Sequence, residues 1–112
     1  MAVPEFKKDP LYNLLREGHI EEFNRQREQP QTADLKGADL RGLDLREANL
    51  KGLDLSDCYL RQADLRGVDL RETRLEGASI MGAKISGAYF PKQLSAAEID
   101  LSLQHGTRLR YQ

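Results

Sequence analysis

The sequence is poor in the residues that small domains use for chemistry or for conventional cores. Cys58 is the single cysteine among 112 residues. No intramolecular disulfide and no cysteine-rich metal site can therefore form, and a lone thiol suits a reducing compartment, so a cytoplasmic protein is expected. Tryptophan is missing, aromatic residues make up 6% of the chain and hydrophobic residues 39%, low for a globular domain. Neither sign of charge is in excess: 17 Lys and Arg face 18 Asp and Glu, for a net charge of −1. No long-range field draws such a chain onto DNA, RNA or an anionic membrane. Apolar runs of membrane-spanning length are absent, and the N-terminal MAVPEFKKDP lacks the apolar stretch of a signal peptide. The length fits one domain with one modest core, which excludes most multi-domain enzymes.

What the sequence does have is a repeat of five residues, running without insertion from Ala33 to Lys92: ADLKG ADLRG LDLRE ANLKG LDLSD CYLRQ ADLRG VDLRE TRLEG ASIMG AKISG AYFPK. The third position is apolar in all twelve units, Leu35 through Leu75 and then Ile80, Ile85 and Phe90. The first position is small or apolar throughout: Ala33, Ala38, Leu43 and Ala48 open the series, and Thr73 is its one hydroxyl residue. No regular element buries this pattern. A helix advances a five-residue period by about 140° and scatters the leucines around its axis. A continuous strand throws them to alternate faces. The chain must change direction once per repeat, with about three extended residues followed by a two-residue turn. Seven of the nine glycines stand at position five, where such a turn calls for them.

Repeats such as ADLKG, ADLRG and ANLKG resemble those of pentapeptide-repeat proteins. The resemblance implies an all-β solenoid: a right-handed quadrilateral β-helix with four repeats per coil, here about three coils, with short helical caps at both ends. It gives three segments: an N-terminal helical cap over 1–32, twelve repeats over 33–92, and a C-terminal capping helix and tail over 93–112. Caps are needed because both ends of three coils expose apolar side chains and unpaired backbone edges.

The flanks supply them. Asp9-Pro10 reads as an N-cap with proline at the first helical position, and Gly18 as a stop, for a helix from about Pro10 to Glu17. A second helix is expected from Ile20 to Gln29, ended by Pro30, with Leu11, Leu14, Leu15, Ile20 and Phe23 facing the first coil. Ser95 and Glu98 form a capping box, and Leu94 and Ile99 a hydrophobic staple, so a third helix begins at Ser95 and ends at Gly106. The tail from Thr107 to Gln112 receives no placement.

Chemistry is scarce. His19 and His105 read as ordinary helix-end residues, too isolated for a metal site. Cys58 occupies position one and reads as an inward apolar filler, not a nucleophile. The carboxylates lie on a convex surface with no implied cleft, and no phosphate-binding glycine loop occurs. No enzyme activity, cofactor or metal is expected.

With four repeats per coil, residues twenty apart form columns on the outside. Two readings of these columns stay open. In one, Asp at position two and Arg at position four are solvated residues that pair weakly and keep the rod soluble. In the other, Arg41, Arg46, Arg61 and Arg66 form a basic patch for an acidic partner surface, anchored by Tyr59. Met81, Tyr89, Phe90, Leu94, Ile99 and Leu103 are candidates for a cap or a dimer contact, and family members often dimerise through C-terminal elements. The function expected is a non-catalytic scaffold that binds another protein, without direct contact to nucleic acid or membrane. The resemblance offers one alternative, a DNA mimic that modulates DNA gyrase or another type II topoisomerase. Against it, residues 33–92 hold ten acidic and ten basic residues, a neutral surface where such mimics are strongly acidic.

Overall fold

The computed structural model describes residues 3–29 and 33–112. Each of the first eleven repeats spends its fourth and fifth residues on a turn, as the period demands, and the chain returns to the same side after four repeats. Residues twenty apart become neighbours: Asp39, Tyr59 and Ser79 pair in series, as do Asp44, Asp64 and Lys84. The repeats thus form three stacked tiers, 33–52, 53–72 and 73–92.

The expected all-β solenoid is not what forms. Among the described residues there is no β-strand; the regular elements are three short helices, and the tiers are joined by isolated parallel bridges. The reason is the period itself. Only about three residues separate consecutive turns, so each straight piece makes one bridge at position two and bends away before a second can form a ladder.

The backbone is nonetheless well satisfied. The position-three N–H of one tier donates to the position-two carbonyl of the next, as in Leu60 N to Ser79 O at 2.8 Å and Leu65 N to Lys84 O at 2.8 Å. The position-two N–H donates the other way, as in Ser79 N to Cys58 O at 3.1 Å. The position-one N–H closes each turn on the preceding position three, as in Ala63 N to Leu60 O at 3.1 Å. This distributes the hydrogen bonds that a buried backbone requires. Inside the tiers, Leu40, Leu45, Leu55, Leu60, Leu65 and Leu70 are wholly buried. Each such leucine contributes about 1.5–3 kcal/mol of burial, which compensates for the low overall hydrophobic content.

Position five takes a left-handed backbone at three of the five repeats that lack glycine there: φ is 67° at Glu47, 61° at Asp57 and 60° at Gln62. A side chain there costs roughly 1–2 kcal/mol, partly offset by the entropy that glycine loses on folding. Gln62→Gly is accordingly expected to stabilise the protein by about 0.5–1 kcal/mol in urea melts.

The first tier is closed by the N-terminal segment. In α1 (Pro10–Arg16) the Asp9 Oδ1 accepts from Leu11 N and Tyr12 N, while its Oδ2 accepts from Asp34 N at 2.9 Å, so one carboxylate caps the helix and the tier below it. The helix ends in a Schellman turn, with Gly18 N donating to Leu15 O and His19 N to Leu14 O. The second helix, α2 (Ile20–Arg27), stops short of the expected Gln29, and Pro30 lies outside the described residues. Leu11, Leu15 and Phe23 are buried as expected, with Leu14 and Ile20 half-buried beside them. Two contacts were not foreseen: Glu5 bridges to Ala38, and the buried Tyr12 donates its hydroxyl to Asp39 O at 2.8 Å.

The third tier is closed by α3 (Ala96–His105) and the tail. Ser95 Oγ accepts from Glu98 N at 3.1 Å, the first half of the expected capping box. The second half does not form, because the Glu98 carboxylate turns to Arg110, accepting from its backbone N–H at 3.0 Å and from its guanidinium at 3.1 Å. That clamp folds the tail back along the tier. Gly77 N donates to Leu109 O, Leu75 N to the Tyr111 hydroxyl and Ile80 N to Ser102 Oγ, so the donors on this half of the tier, which would have met a fourth, find acceptors within the chain.

Candidate protein-interaction surface

Outer positions two and four of each repeat lie close together across the turn, and in DLR repeats this makes a fork. Arg41 grips Asp39 through Nε at 2.9 Å and Nη2 at 2.8 Å, and the Arg41 backbone N–H donates to the same carboxylate at 3.1 Å. Arg46 on Asp44, Arg66 on Asp64 and Arg71 on Asp69 repeat the arrangement. Arg46 also reaches Asp64 of the next tier at 3.3 Å. In TRLEG the polarity is exchanged and Arg74 donates to Glu76 at 2.9 Å.

The forks set the carboxylate chemistry. Hydrogen bonds from Arg66 and Arg71 bring Asp64 and Asp69 down to about 2, and Arg41 and Arg46 lower Asp39 and Asp44 in the same direction. A general acid needs the opposite shift. Because the folded values lie below the ordinary 3.8, the contribution of these pairs is complete above that value and is lost as pH falls toward 2. The melting temperature is therefore expected to hold steady from pH 8 to about 5 and to fall between about 4 and 2. A flat profile over that lower range in circular dichroism melts would contradict the fork assignment.

Cys58 is buried, with Sγ 2.7 Å from Leu35 O, and burial pushes its thiol up to about 12. It is a thiol at neutral pH and fills the interior. His19 stands at the start of α2 and His105 at the end of α3, 3.3 Å from Glu17 in the case of His19. No group of His, Cys, Asp and Glu among the described residues is arranged to hold a metal ion.

The five candidates for partner contact divide into two groups. Arg41, Arg46 and Arg66 are spent on carboxylates within the chain, as above. Tyr59 and Arg61 share a repeat, and the tail adds a residue that the sequence reading missed. The Arg108 guanidinium lies 5.3 Å from the centre of the Tyr59 ring, with Nη2 donating to the Tyr59 hydroxyl at 2.9 Å. Arg61 lies against Gly106, its Nη2 2.7 Å from where a Cβ would stand, and the Met81 sulfur packs at 3.0 Å from the same point. Tyr59, Arg61, Met81 and Arg108 thus gather on one side of the tiers. The alternation of Leu109 and Tyr111 with Arg108 and Arg110 was the available signal: it is the pattern of an extended segment with one buried face.

The candidates for a cap or dimer contact divide as well. Leu94 is buried, and Phe90, Ile99 and Leu103 pack half-buried against the chain's own core. Met81 and Tyr89 are exposed, with the Tyr89 ring under the Arg71 guanidinium at 4.9 Å.

The pentapeptide-repeat profile matches residues 32–62 and 58–91, in 8 copies, more than half of the chain. The chain belongs to the pentapeptide-repeat family. Its matched span coincides with the stacked tiers, so the family character resides in the turns and the inward leucines. The flanking helices and the tail, which supply Arg108, fall outside the pentapeptide repeats. No curated protein and no solved structure matches the chain. No helix among the described residues is long and apolar enough to cross a membrane.

Proposed function

We propose that this pentapeptide-repeat protein is a non-catalytic cytoplasmic scaffold that binds another protein through the side carrying Tyr59, Arg61 and Met81. The observation that supports it is the contrast among the arginines. Arg41, Arg46, Arg66 and Arg71 hold bidentate pairs with Asp39, Asp44, Asp64 and Asp69, whereas Arg61 has no carboxylate partner among the described residues. An exposed arginine beside a fixed aromatic ring and a methionine has the composition of an interface anchor. Its complement is an acidic partner surface with an apolar contact for Met81.

Affinity purification coupled to mass spectrometry tests the reading, with the parent compared to Arg61→Glu and to Lys36→Glu as a control on another repeat. A partner retained by the parent and by Lys36→Glu, and lost with Arg61→Glu, is the expected result. Equal recovery with all three baits contradicts it. A gyrase supercoiling assay separates the scaffold from DNA mimicry, and no inhibition is expected from a neutral repeat surface.

A further inference from the structure

Every tier presents outward N–H groups from positions three and five to whatever lies below. In the second tier all but that of Glu72 are taken up, among them Leu65 N by Lys84 O at 2.8 Å, Gly67 N by Ser86 O at 3.0 Å and Leu70 N by Tyr89 O at 2.7 Å. In the third tier only half are. The tail and α3 serve Leu75, Gly77, Ile80 and Gly82, the last through Leu103 O at 3.0 Å. Beyond Gly82 the cover stops. The N–H groups of Ile85, Gly87 and Phe90 meet no acceptor among the described residues. The side chains tell the same story: Ala63, Leu65, Val68 and Leu70 are buried, while Ala83, Ile85, Ala88 and Phe90, directly below them, are half-exposed.

We infer that this uncovered half-edge, from Ala83 to Phe90, is a docking site for an extended segment of a partner protein that carries a bulky aliphatic side chain. The occupant is defined by what the edge lacks. Three backbone donors spread over two repeats need carbonyls along an extended chain, since a helix leaves free only those of its last turn, as α3 does with Leu103 O, and the half-exposed Ile85 and Phe90 need an aliphatic group against them. The chain answers this need itself on the adjoining half, where the tail lies extended, buries Leu109 and gives its carbonyl to Gly77. The tail runs up to the side of the open half, with Gln112 N bonded to Gln93 O at 3.1 Å, so a docked segment would adjoin an interface already built. Exposed edges of this kind are a recurrent template for strand addition.

The inference deepens the scaffold reading and rests on it. The test uses the full chain labelled with ¹⁵N and a capped decapeptide, ADLRGVDLRE, which copies residues 63–72 as a further pair of repeats. A control peptide carries Asp at both leucines. In the free protein the amides of Ile85, Gly87 and Phe90 are expected to exchange with solvent at least tenfold faster than those of Leu65, Gly67 and Leu70, which are bonded. The repeat peptide is expected to shift these three amides saturably and to slow their exchange at least tenfold, and the control peptide to do neither. Equal protection in the free protein, no shift at millimolar peptide, or an equal response to the control would overturn the inference. Concentration-dependent shifts of the same amides without peptide would assign the edge to a second copy of the chain and overturn it too. Shifts confined to the Tyr59 and Arg61 side would overturn the edge while leaving the scaffold reading in place.

Discussion

Leu65→Arg is expected to leave the protein unfolded at 25 °C. Leu65 is wholly buried, in line with Leu45 above it and Ile85 below it. A guanidinium placed there has no carboxylate inside the tiers and no route to water without separating them. Burying an uncompensated charge costs many kcal/mol, and a domain of this size has a total stability of about 5–15 kcal/mol. Leu60→Asp, one repeat earlier and equally buried, should behave the same way. Arg61→Glu, on the outside, is expected to change stability by no more than about 0.5 kcal/mol. Circular dichroism melts of the three variants decide the matter: if Leu65→Arg melts like the parent, the assignment of position three to the interior is wrong.

Truncation after Gly106 is expected to produce the second largest loss. The tail buries Leu109, packs Tyr111 against the core and clamps Arg110 to the buried Glu98 carboxylate. Removing it strips cover from the third tier and leaves Glu98 without its partner. Leucine burial with part of an aromatic side chain amounts to about 3–5 kcal/mol. At about 4 °C per kcal/mol, the melting temperature falls by more than about 10 °C. Tyr111→Phe, which loses only the hydrogen bond from Leu75 N, is expected to cost about 1 kcal/mol. A truncated chain that melts with the parent would mean that the tail does not close the tier.

The parts of the fold legible in the sequence are those that repeat or that carry local chemistry. Twelve apolar third positions can be satisfied only from inside, and they are inside, down to the half-exposed Ile85 and Phe90 at the open edge. Asp9, Gly18, Ser95 and Gly106 announce helix ends because each acts on backbone groups within a few residues. The expectation of a β-solenoid carried the inside and outside assignment correctly and the secondary structure wrongly, since a bridge at one residue per repeat never lengthens into a strand.

Contacts between distant segments were the illegible part. Glu98 looked committed to Ser95, three residues away, and its choice of Arg110 is visible only once the tail has turned back. Tyr12 draws no assignment from the sequence, and its part shows only where its hydroxyl meets Asp39 O. The surface followed the same rule. Arginines at position four were grouped together in the sequence, and what separates Arg61 from Arg66 is the residue two before each: Tyr59 in one repeat and the carboxylate of Asp64 in the other. That difference was present in the sequence. Its meaning depended on the turn that brings positions two and four together.

The stacked tiers require a register in which residues nineteen to twenty-one apart are hydrogen-bonded, and scalar couplings across hydrogen bonds read that register directly. Couplings are predicted from Leu45 N to the carbonyl carbon of Asp64, from Leu60 N to that of Ser79 and from Leu65 N to that of Lys84. Couplings from these amides to residues at another spacing, or protected amides with no coupling at all, would contradict the stacked tiers and the surfaces built on them.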